Sequence, residues 1–143
     1  MQFRMIENDQ DWAWFVQRTH VIRCEDTQGI VCHDGERIVA MCVADSFSVD
    51  SCNVHFAVDS PWAIRDGLFT VFADWVFDYL DKKRMFGLVP DNNAKAIRLD
   101  KKIGFREVTR VPDAIADGVG YIVMRLDKED CRWRTKYEQE KVA

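Results

Sequence analysis

The chain has 143 residues, 48% hydrophobic and 31% charged, a composition too apolar for disorder and a length suited to one hydrophobic core. Its formal net charge of −4 is spread through interleaved acidic and basic residues, so no basic footprint for nucleic acid is present. The opening "MQFRMIENDQDW" holds no continuous apolar segment, and no later run is long enough to cross a bilayer, which together point away from a membrane and toward a cytoplasmic location.

Read in chain order, "MQFRMI" suggests a short first strand, and Asn8 is placed to cap a helix with Trp12, Phe15, Val16 and Thr19 on one face. "GIVCHDGERIVAMCVADSF" reads as a hairpin turning at Asp34-Gly35, a register in which Cys32 faces Arg37. "SCNVHFAV" then adds a third strand to an antiparallel meander. In "GLFTVFADWVFDYLD" the residues Leu68, Phe72, Trp75, Val76, Tyr79 and Leu80 fall at helical spacing, opposite a polar stripe of Thr70, Asp74, Asp78 and Asp81. That helix has two candidate starts: Ser60-Pro61 as N-cap and first residue, or a later one with Gly67 in the loop ahead.

"RMFGLV" reads as a buried strand ended by Pro90. "NNAKAIRLDKKIGF" is the next helix, capped by Asn92 or Asn93, closed by Gly104, with Ala96, Leu99 and Ile103 on its core face. Two strands, "FREVTRV" and "GYIVMRL", follow, with Asp117-Gly118 as the turn signal between them. The segment 127–143 is a charged tail, expected to be helical at first and then frayed. Five cysteines without C-x-x-C spacing indicate reduced thiols, and three scattered histidines without a spaced carboxylate indicate no metal site.

The block Asn93, Ala96, Ile97, Leu99, Ile103, Gly104, Phe105, together with the order strand, helix, three strands, helix, strand, helix, two strands, resembles the GNAT superfamily of acyl-CoA-dependent N-acetyltransferases. The resemblance implies one α/β (α+β) domain over residues 1–143. Its layers would be a mixed, mostly antiparallel sheet of about seven strands with a splayed parallel pair, and helices on both faces. It also implies acetyl-CoA as acyl donor and an amine, a small molecule or a protein, as acceptor. The pattern around Cys131-Arg132-Trp133 is similar to small acetyltransferase-like proteins of tailed bacteriophages, which implies a host bacterial cytoplasm and association with a phage particle.

In such a fold the strands "SCNVHFAV" and "RMFGLV" splay apart, and a free backbone N–H near Val58 would polarise the thioester carbonyl. Gly67, Leu68 and Arg65 would meet the cofactor's pyrophosphate at a helix N-terminus, and Asn93 would hold the cofactor from the other side. His55, on the strand lining the cleft, is the candidate general base because its ordinary pKa is near neutrality. Asp100 stands where many members carry the Tyr that protonates the CoA thiolate; it is either a surface carboxylate beside Lys101 and Lys102 or a buried acid. The phosphate loop departs from the family pattern at Ile64 and Phe69, and Asp66 would repel a phosphate unless turned away. Trp62, at the presumed cofactor mouth, either stacks on adenine or buries against the sheet.

These departures leave a second reading open, a GNAT-fold interaction module that has lost its chemistry. An exposed C-terminal strand would also allow a homodimer.

Overall fold

Alternation in the central strands divides the core in two. Of β3 (Arg37–Asp45) and β4 (Ser51–Val58), one face carries Ala40, Cys42, Cys52 and Val54, the other Met41, Val43 and Ala57. The second set packs against Trp12 and Phe15 of α1 (Asp9–Thr19), and the first against helices that follow β4. Helices therefore cover both faces of a sheet whose strands alternate in period two. The computed structural model describes residues 1–142.

The sheet has seven strands in the order β1-β2-β3-β4-β5-β7-β6. The remaining members are β1 (Gln2–Met5), β2 (Gln28–Asp34), β5 (Arg84–Pro90), β6 (Arg106–Ala116) and β7 (Val119–Asp127). All neighbours are antiparallel except β4 and β5, which run parallel. Their ladder holds only Ser51↔Arg84, Cys52↔Met85 and Asn53↔Phe86, after which β4 stays with β3 and β5 with β7. A slot opens between them.

The first hairpin turns one residue later than expected. Asp34 pairs with Arg37, so Gly35, at φ 61°, and Glu36 make the turn, and a register shift at Cys32/His33 sets Cys32 opposite Ala40 instead of Arg37. The last hairpin does turn at Asp117-Gly118, since Ala116 pairs with Val119. Asn8 caps α1 by accepting the Asp11 N–H at 2.9 Å.

Both candidate starts of the second helix are used. Ser60-Pro61 begins α2 (Pro61–Arg65), Gly67 at φ 108° breaks it, and α3 (Leu68–Ala73) starts anew. From Asp74 to Tyr79 this helix widens into a π turn, closed by the Leu80 N–H on the Trp75 carbonyl at 2.9 Å. The wider turn moves the apolar stripe: Phe77 is buried, whereas Tyr79, expected inside, is 80% exposed.

The tail also departs from expectation. After β7 it makes one 3₁₀ turn (Lys128–Asp130), an irregular stretch, and only then α5 (Tyr137–Val142). Arg134 is 2% exposed and donates to Asp78, to Glu140 and to the Lys128 carbonyl at 2.8–3.1 Å. The Thr135 N–H reaches Asp74 at 2.8 Å, and the Trp133 indole N–H the Ile103 carbonyl at 2.8 Å. The polar stripe of the α3 helix is thus the dock for the tail, and tertiary hydrogen bonds override its local preference to fray.

Candidate active site

The slot between β4 and β5 is lined by backbone as much as by side chains. The Asp59 N–H donates to the Val39 carbonyl at 2.9 Å. In an antiparallel ladder alternate residues bond to the same neighbour, so Phe56 and Val58 turn their N–H and C=O groups the other way, toward β5. Since β5 has left the ladder beyond Phe86, those groups face the open slot. Val58 is one of the two residues whose backbone groups point into it.

Two basins meet in the slot. The larger, about 620 Å³, lies against Phe56–Asp59, Pro61 and Ile64. The smaller, about 350 Å³, lies against His55, the end of α1 at Thr19–Val21, Gly87–Pro90 and Asp100. They share Arg18, Phe56 and, from the helix α4 (Ala94–Ile103) with its N-cap, Asn93, Ala96 and Leu99.

Three residues beyond Ile64, a wall of the larger basin, the helix breaks at Gly67. The first bond of the new helix is the Val71 N–H to the Gly67 carbonyl at 3.0 Å, so the N–H groups of Leu68, Phe69 and Thr70 have no carbonyl within it. A side chain at Gly67 would meet nothing within 4 Å, so glycine is needed there for its positive φ and not for room. Leu68 is buried in the core. Phe69 points inward too, edge-on to Phe56 at 5.4 Å and Trp133 at 5.7 Å, so its ring does not cover the backbone of the loop. Asp66 turns to the Met1 ammonium at 3.3 Å.

Arg65 is exposed, its guanidinium 5.3 Å from the Trp62 ring centre, and does not line the slot. Trp62 is 57% exposed and is not buried against the sheet. Across the slot Asn93, and not Asn92, caps α4: its Oδ1 accepts the Ala96 N–H at 3.1 Å, which leaves its amide NH₂ free to donate.

Asp100 is no surface residue. It is 7% exposed, its carboxyl has no hydrogen-bond partner among the described residues, and burial pushes it up to about 7. It packs against Gly87 of β5, where a Cβ would lie 3.6 Å from Oδ2, an ordinary contact. The signal for this burial was in the spacing, because Asp100 follows Ala96 by four residues and precedes Ile103 by three, on the same helical stripe.

His55 borders the smaller basin from the α1 side of the sheet, with Ala57 of the same strand face packed against α1. Its Nε2 lies 2.9 Å from Oδ2 of Asp45. Nothing in the sequence marks Asp45 as that partner except parity, since Met41, Val43 and Asp45 share the face of β3 that looks toward α1. His55 and Asp100 thus approach one slot from opposite faces of the sheet. Of the other histidines, His20 ends α1 at φ 58° and borders the smaller basin, and His33 bonds its own turn through Gly35.

The remaining reactive groups sit elsewhere. Cys32, Cys42, Cys52 and Cys131 are buried free thiols, and burial pushes Cys52 up to about 12, which opposes thiolate chemistry at neutral pH. The carboxylates of Asp127, Glu129 and Asp130 lie within 4.8 Å of one another, but Asp127 is already held by Arg125 at 2.7 Å with Arg84 and Arg106 at 3.6 and 3.8 Å. No helix among the described residues is long and apolar enough to cross a membrane.

No protein-family model and no curated protein sequence matches the chain. Solved structures do. The spermidine/spermine N-acetyltransferase SpeG of Vibrio cholerae matches with TM-score 0.73 at 12% identity, over 97% of this chain and 99% of that one. The ribosomal-protein-S18-alanine N-acetyltransferase of Escherichia coli matches with TM-score 0.63 at 21% identity, over 88% of this chain and 92% of that one. A Desulfovibrio desulfuricans protein assigned to the GNAT acetyltransferases matches with TM-score 0.67 at 14% identity, over 89% and 98%. With its splayed parallel pair, seven-stranded mixed sheet and helices on both faces, the chain has the GNAT fold.

Proposed function

We propose that this protein transfers an acetyl group from acetyl-CoA to an amine by direct attack in a ternary complex. The observation that carries this reading is the slot: β4 presents unpaired backbone groups at Phe56 and Val58 to a basin of about 620 Å³, and the helix that restarts four residues after the lining Ile64 leaves the N–H groups of Leu68–Thr70 without a helical carbonyl. A pantetheine arm fits such an edge as an added strand, and a pyrophosphate fits a helix N-terminus. Asn93 holds the arm from α4 through its free amide. Arg65, stacked on Trp62 outside the slot, is left for the distal end of the cofactor.

The acceptor enters the smaller basin. Its nitrogen attacks the thioester carbon while the Val58 N–H stabilises the developing oxyanion. His55 removes the nitrogen's proton, the C–S bond breaks, and Asp100 in its protonated form returns a proton to the thiolate, giving an acetamide and CoA. The rival reading, an interaction module without chemistry, loses one support because Phe69 points into the core. The named neighbours act on spermidine and spermine and on an alanine of ribosomal protein S18, which makes small amines and proteins both worth screening. Release of thiol from acetyl-CoA with a panel of polyamines and N-terminal peptides tests the reading; turnover with any of them supports it, and none with any would favour the rival.

The place of action we infer is a bacterial cytoplasm, that of a phage host on the resemblance at Cys131-Arg132-Trp133. The C-terminal strand β7 is not the exposed one, since it lies between β5 and β6; we infer self-association through β6 instead, an edge strand exposed along its whole length with Val108, Val111 and Ile115 outward. Sedimentation showing only monomer at high concentration would contradict this.

A further inference from the structure

The contact between His55 and Asp45 is not a direct cross-strand pair. His55 lies opposite Val43 and Asp45 opposite Asn53, so the 2.9 Å bond runs diagonally between two residues on one face of the sheet. Asp45 ends β3 and is 7% exposed; His55 keeps about a quarter of its side chain accessible at the slot. An ionised carboxylate only accepts hydrogen bonds, so the proton of a neutral His55 ring must sit on Nε2. Nδ1 is then the ring's basic nitrogen. Arg18, which lines the smaller basin, is committed to Asp59 through three contacts of 2.9–3.1 Å.

We propose that Asp45 is a positioning residue that holds His55 in the Nε2-protonated tautomer, so that Nδ1 accepts the proton of the acceptor amine. This rests on the transferase reading for its purpose, but not for its geometry. During transfer the N–H bond of the amine breaks and an Nδ1–H bond forms; Asp45 stays ionised and offsets the charge of the imidazolium.

The ring can be observed without any reaction. Long-range ¹H–¹⁵N correlation spectra of the labelled full chain, with His55 assigned by loss of its signals in His55→Gln, report which nitrogen carries the proton. At a pH where the ring is neutral, the expected result is a single Nε2–H tautomer in the wild type and a mixture in Asp45→Ala. A wild-type ring protonated mainly on Nδ1 overturns the proposal even if Asp45→Ala fails to fold. So does a folded Asp45→Ala with an unchanged tautomer. With an acceptor in hand, Asp45→Ala should lower kcat by about tenfold or more with KM for acetyl-CoA unchanged. Transfer at the wild-type rate in this variant overturns the proposal and spares the transferase reading. A tautomer that depends on Asp45 in a protein that acetylates nothing supports the positioning and removes the transferase reading.

Discussion

Asp45 and Asp100 are both buried, each 7% exposed, and their surroundings are opposite: Asp100 lines the slot, whereas Asp45 stands behind His55, which lines it. Asp45 has a histidine at 2.9 Å; Asp100 has no partner for its carboxyl among the described residues and is pushed up to about 7 by burial alone. A carboxylate with a donor beside it can stay ionised and orient that donor. One without any is held neutral, and a neutral carboxylic acid is a proton donor. The same residue type thus supplies a hydrogen-bond acceptor behind His55 on one side of the slot and an acid on the other.

A third buried charge sets the scale of the contrast. Arg134 is enclosed with a full set of acceptors, Asp78 and Glu140, and they raise its pKa further. Arg134→Ala leaves Asp78 with only Lys128, at 3.7 Å, and breaking such a buried pair costs about 3–4 kcal/mol; chemical denaturation measures it. A loss near zero would mean that partners around a buried charge matter little here, and the contrast between the aspartates would weaken with it.

Within the slot, His55→Ala should lower the rate of acetyl transfer by about 10²-fold while leaving the fold intact. A variant that unfolds instead would make the Asp45–His55 pair a structural strut.

Asp100→Asn separates acid from charge. The folded-state value, about 7, lies above the ordinary 3.8, so as pH rises the unfolded chain gives up this proton first. The stability linked to Asp100 is therefore complete below the ordinary value and is lost by the time pH passes about 7. At pH 8 the amide, which cannot ionise, should be more stable than the wild type. It should also turn over more slowly. Equal pH dependence of melting in the two proteins would show that Asp100 ionises freely.

The smallest effect is expected at Asn93. Its replacement by alanine removes a helix cap worth about 1 kcal/mol and with it the free amide at the slot. Melting with and without acetyl-CoA should show a lower midpoint and a smaller ligand-induced rise; an unchanged rise would take Asn93 out of the site.

The parts of this arrangement that were legible in the sequence are those with local causes. The helix Ala94–Ile103 has its cap, Asn93, and its terminal glycine, Gly104, beside it in the sequence, whereas Gly67 left the start of the second helix open between two positions until its φ of 108° showed the break. The hairpin slip at Cys32/His33, the π turn from Asp74 and the docking of Arg134 depend on neighbours distant in the chain, and no window of sequence contains them. Asp100 lay between: its stripe was readable, but two flanking lysines on the opposite side suggested a surface. Asp45 needed the β3–β4 register, which follows from the loop between the strands and from no motif.

The most direct measurement is calorimetric titration of the purified protein with acetyl-CoA, with CoA as comparison. Micromolar binding of either is expected if the Phe56–Val58 edge and the Gly67 turn hold the cofactor. No heat at millimolar ligand would mean that the slot is a feature of the fold without a ligand, and that this chain does not work as an acyl-CoA enzyme.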